Sequence, residues 1–82
     1  MNLYDIVTLD NNKEYVICKT LTYKEKEYLL LIRVDEDENL LDERLIVEKL
    51  NNGKTLKKIK ESNLKQIISE KFAKMIIEEL KV

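Results

Sequence analysis

Asp35-Glu36-Asp37-Glu38-Asn39 sets oxygen-bearing side chains at alternate positions, Asp35, Asp37 and Asn39, which is how a calcium-binding loop of the helix–loop–helix type begins. Such a loop also needs glycine at its sixth position and a bidentate glutamate at its twelfth, and these positions hold Leu40 and Ile46. The match fails where the geometry is most demanding. The run therefore reads as a solvated acidic loop, and the chemistry left to it is attraction of a basic surface. Asp35, Glu36, Asp37, Glu38, Asp42 and Glu43 form the candidate partner-binding set.

A second charged segment follows: Lys54, Lys57, Lys58, Lys60, Lys65, Lys71 and Lys74 stand against only Glu61 and Glu70. A lysine face of that kind can follow a phosphate backbone, with binding that falls steeply as salt rises. Arginine, the usual reader of base edges, is absent from the segment, and its one aromatic residue, Phe72, belongs to an apolar stripe. Nucleic-acid binding is accordingly the alternative reading, and a solvated face the leading one.

Other chemistries are limited by what is missing. The chain has no histidine and a single cysteine, Cys18, so neither a histidine-containing triad nor a zinc site of the usual ligand sets can be assembled within it. Gly53 is the only glycine, which excludes the glycine-rich phosphate loops of nucleotide-binding folds. No nucleophile, base and orienting group can be named together, and the reading is non-enzymatic, with no cofactor and no metal. Cys18 reads as a small strand residue, with no histidine and no pair of basic residues beside it to make it a reactive thiol. Tyr4, Tyr15, Tyr23 and Tyr28 form either an exposed aromatic patch or the plugs of a small curved sheet.

These residues must be positioned by a small domain. Eighty-two residues bury one thin core, and 44% hydrophobic with 38% charged residues is the balance of a soluble domain with a densely solvated surface. The net charge of −1 does not by itself call for a polyanionic ligand. No apolar run reaches the roughly 18 residues that span a bilayer, and the first residues lack the pattern of a signal peptide. The expectation is a cytoplasmic protein without membrane contact, and one cysteine agrees with a reducing compartment. Lysine in excess of arginine, with many isoleucines and asparagines, is what AT-rich codons give, and points to a low-GC bacterium or its phage.

Alternation and turn residues predict an α+β fold: a curved antiparallel β-meander of about five strands followed by one C-terminal amphipathic helix, in a single domain over 1–82. The strands are expected at about 4–9, 14–23, 27–34, 43–50 and 54–60, and the helix at about 63–80. Asp10-Asn11-Asn12-Lys13 makes the first turn and Lys24-Glu25-Lys26 the second, while Asn52-Gly53 supplies the positive φ values of a type I′ hairpin. Strict alternation along the second strand puts Tyr15, Ile17, Leu21 and Tyr23 on one face. The strand from Glu27 to Val34 carries apolar residues on both faces and is expected at the centre of the sheet. In the helix, Leu64, Ile67, Ile68, Phe72, Met75 and Ile76 make the packing stripe and Ile77 lies off it; Ser62 or Asn63 is the expected cap, with Gln66 at capping-box spacing from Asn63.

"LYDIVTLDNNKEYVI", then "LTYKEKEYLLLIRVDEDE", a further strand and a terminal amphipathic helix make an order of features that resembles the domain-of-unknown-function 1292 (DUF1292, YrzB-like) family of small bacterial and phage proteins. The positions carrying the resemblance are Tyr23, Lys26, Glu27 and Tyr28 around the hairpin, with Asp35, Glu36, Asp37 and Glu38 in the acidic loop. This chain departs from the family pattern in lacking a glycine in its second turn and in a much less acidic last third. The resemblance implies the fold and, since the family has no established activity, implies no function. The sequence thus leads to a non-enzymatic protein–protein interaction module that binds an unidentified protein partner, with a homodimer as one form it can take. From a phage, its expected task is inhibition of a host machine in the manner of an anti-defence or anti-CRISPR factor.

Overall fold

The computed structural model describes residues 2–80; residues 1, 81 and 82 of the expected 1–82 domain lie outside it. Five strands, β1 (Ile6–Thr8), β2 (Glu14–Tyr23), β3 (Lys26–Val34), β4 (Leu40–Leu50) and β5 (Thr55–Lys58), lie side by side in chain order. Every neighbouring pair is antiparallel, the sheet curls into a half-barrel, and α1 (Ser62–Leu80) follows. The α+β meander expected from the sequence is the observed fold class. Among the described residues no helix is long and apolar enough to cross a membrane.

The sheet has two apolar faces because its central strands alternate between two cores. Tyr15 and Ile17 of β2, Leu29 and Leu31 of β3 and Val47 of β4 are buried together, with Val7 and Leu56 of the outer strands packed against them. A cluster drawing on all five strands lies inside the curl. Tyr28 and Leu30 point the other way and pack with Ile68 and Phe72 of α1, among Leu21, Tyr23, Ile46, Leu64, Met75 and Ile76. Each fully buried aliphatic or aromatic side chain contributes roughly 1.5–3 kcal/mol relative to exposure, so the helix is held by this second cluster. Its charges oppose it, since the first turn carries no acidic residue and the last no basic one. Lys19 of β2 partly offsets this by pairing with Glu79 in that last turn. The burial of Tyr28 in this cluster raises its phenol pKa.

Several expected details differ in the structure. Ile17 pairs with Leu31 while Lys19 pairs with Leu30, so Cys18 is the extra residue of a β-bulge. The bulge reverses the alternation: Tyr15 and Ile17 face the inside of the curl, whereas Leu21 and Tyr23 face the helix. The four residues do not share a face. The Asn52-Gly53 hairpin is not a two-residue loop either, since Leu50 pairs with Thr55 across four residues, with positive φ at Asn51, Asn52 and Gly53. The second turn is the tight one, for Tyr23 pairs with Lys26 and both Lys24 (φ 49°) and Glu25 (φ 66°) are left-handed. β1 starts at Ile6 and not at Tyr4, which has φ 69°. β4 starts at Leu40 and not at Glu43, because Val34 pairs with Leu40. β5 ends at Lys58, the last residue paired with β4. The helix starts at Ser62, and the Glu61 carbonyl accepts its bond from Lys65. Ser62 and Asn63 therefore sit inside the first turn, and the Gln66 amide donates to Glu70, four residues onward. Ile67, expected on the packing stripe, is exposed.

Candidate interaction surfaces

Asp35 follows directly on β3 and organises the loop that it opens. One carboxylate oxygen, Oδ1, accepts the backbone N–H groups of Asp37 and Asn39, each at 2.9 Å, and Oδ2 accepts the Asn39 side-chain amide at 3.4 Å. The backbone closes the same ring, with the Asp35 N–H donating to the Asn39 carbonyl and the Glu38 N–H to the Asp35 carbonyl, both at 3.0 Å. Glu38 takes the left-handed conformation (φ 62°) that this tight loop requires. The Asn39 amide, more than any other group, holds the Asp35 carboxyl below the usual carboxylate range. Asp35 is thus turned inward on its own loop, as aspartate does in turns where it mimics a backbone acceptor.

The opening of β4 presents the remaining acids. Ile32 pairs with Arg44 and Val34 with Leu40, so Leu41, Asp42 and Glu43 stand opposite Arg33 alone and the strand bows outward. Within this bow Glu43 accepts the Tyr15 hydroxyl at 2.9 Å and Arg33 Nη1 at 3.3 Å. The Tyr15 bond is the main cause of its lowered pKa. Glu43, like Asp35, is held within the protein's own structure. Glu36, Asp37, Glu38 and Asp42 are exposed around them, and among the described residues their side chains make no such bonds. Beside these four acids stand Leu40, 65% exposed, and Leu41, 37% exposed. Neither leucine belongs to the candidate set read from the sequence, although two apolar residues interrupting an acidic run were the available signal. Among the described residues no three acidic or cysteine side chains converge as a metal site would require.

The seven lysines of the second candidate set are divided by the fold. Lys54, Lys57 and Lys58 line a groove between β5 and β1. Lys65 and Lys71 are six residues apart on α1 and so point about 120° apart around its axis. Lys71 Nζ lies 5.1 Å from the centre of the Tyr23 ring, where Lys24 also approaches at 5.4 Å, each within cation–π range. Lys60 and Lys74 are exposed. The tyrosines make no common patch: Tyr15 and Tyr28 are buried on opposite faces of the sheet, Tyr23 is half-buried under the two lysines, and Tyr4 is exposed. Cys18 is half-buried at the bulge.

No family model matches the chain, and neither a curated protein nor a solved structure matches it.

Proposed function

We propose that this protein is a non-enzymatic protein–protein interaction module that docks a basic protein surface through Glu36, Asp37, Glu38, Leu40, Leu41 and Asp42. The observation that carries the reading is the pairing of exposed leucines with exposed acids on a loop already closed by Asp35. Apolar area supplies affinity, while the surrounding charges steer encounter and select against acidic partners. Because the loop is ordered before binding, less conformational entropy is lost on association. The partner class that fits is a cytoplasmic protein whose working surface is basic, such as a nucleic-acid-binding face of a host machine. Blocking such a face is the task of a small inhibitor of the anti-defence or anti-CRISPR type.

The test is retention from a nuclease-treated host lysate on immobilised protein, comparing wild type with the variant E36K/D37K/E38K/D42K. The reading requires a discrete protein held by wild type and lost from the variant, with thermal melting of the two within a few degrees. Equal retention by both, or retention that disappears with nuclease, would overturn it. The nucleic-acid reading needs Lys54, Lys57, Lys58, Lys60, Lys65, Lys71 and Lys74 to act together, and their division among the groove and two sides of α1 makes it the weaker alternative.

A further inference from the structure

The half-barrel is open along one side, where, among the described residues, β1 and β5 each have a strand neighbour on one edge only. The gap between them is a groove of about 1010 Å³, at the upper end of the roughly 300–1000 Å³ that ligand pockets occupy and too large for an ion or one side chain. Its floor is apolar, formed by Val7, Val47 and Leu56, and its rim carries Lys54, Lys57 and Lys58 against one acid, Asp10, so the rim is net positive. Among the described residues none of these three lysines is in an ion pair, whereas Lys19, Arg33 and Lys49 all are.

Strand direction decides what can fill this gap. Four successive antiparallel pairings make β1 and β5 parallel to each other. One added strand running opposite to both would meet each edge in the antiparallel pattern and complete an even, six-stranded barrel. Its side chains would alternate between the apolar floor and the outside. Lysines on an edge strand ordinarily guard it against pairing with other copies of the same chain, and such lysines do not repel an acidic strand. From this topology and the unpaired positive rim, we propose that the gap is a second binding site, for an extended partner segment that alternates apolar and acidic residues and inserts between β1 and β5. The site shares no residue with the acidic loop, and it stands or falls independently of the docking surface above.

The probe is a displayed library of random octapeptides, selected on the immobilised full-length protein. The peptide recovered most often is then synthesised with a fluorescent label and titrated by anisotropy. The expected result is an alternating apolar and acidic peptide that slows amide exchange in both Ile6–Thr8 and Thr55–Lys58. Replacing the three exposed rim charges (K54E/K57E/K58E) should weaken binding about tenfold or more, with the circular dichroism spectrum unchanged. E36K/D37K/E38K/D42K should leave binding within about twofold, as expected of distant, independent sites. Failure to recover any peptide, recovery of basic peptides, protection of neither edge or of one edge only, or unchanged binding to the rim variant would overturn the proposal.

Discussion

Replacing Phe72 by alanine isolates what holds α1 on the sheet. Phe72 is 2% exposed and lies against Tyr28, Leu30 and Ile68, so the substitution leaves a cavity in the cluster that joins helix and sheet. Phenylalanine-to-alanine changes in cores cost about 3–5 kcal/mol, and a thin core in so small a domain places this one near the low end, about 3 kcal/mol. The helix itself gains a few tenths of a kcal/mol, because alanine is the better helix former, so a net loss reports packing alone. For a domain of this length, whose total stability is of order 4–12 kcal/mol, the melting temperature should fall by roughly 12–24 °C. Ile77→Ala on the same helix is the control: Ile77 is 54% exposed and its loss should stay within about 0.5 kcal/mol. Denaturant unfolding followed by far-ultraviolet circular dichroism measures both variants. A Phe72→Ala cost below about 1 kcal/mol, or one equal to that of Ile77→Ala, would refute the assignment of helix stability to this cluster.

Other consequences concern the turn and the acidic loop. Glu25 holds a left-handed conformation that costs a non-glycine residue about 1 kcal/mol, and the extra freedom of glycine in the unfolded chain returns part of that. Glu25→Gly should therefore stabilise the protein by about 0.5 kcal/mol in the same unfolding assay. A loss of stability would mean that the turn carries no such strain. Asp35 and Glu43 both have lowered pKa values, so the stability they confer is present above their unfolded values, about 3.9 and 4.3, and is lost as pH falls through the lower folded ones. The amide signals of Asp37 and Asn39 should thus stay fixed from pH 7 to about 5 and shift only below about pH 4. Movement beginning at pH 6 would contradict the bonding scheme. Asp35→Ala, with no oxygen to accept those two amides, should speed their hydrogen exchange at neutral pH, and unchanged exchange would show that the loop is closed by other bonds.

The strand order was readable because turn residues separate apolar runs with a two-residue period, and the helix because Leu64, Ile68, Phe72 and Met75 repeat at its own period. The bulge at Cys18 was not readable, since one inserted residue leaves the composition of β2 unchanged and only its pairing with Leu30 and Leu31 reveals the reversal. Leu40–Glu43 looked like loop because it is acidic, yet Val34 and Arg33 supply partners that no local pattern announces. Charge picked out the acidic residues, but not that Asp35 and Glu43 are turned to structural use while Leu40 and Leu41 are left outside. The groove was least accessible, as it joins β1 to β5, the two strands farthest apart in sequence.

The most direct test of the docking surface is hydrogen exchange on the protein with its retained partner bound. Slowed exchange over residues 36–43, with α1 unchanged, is the predicted result. Protection confined to α1, with residues 36–43 as fast as in the free protein, would contradict the account.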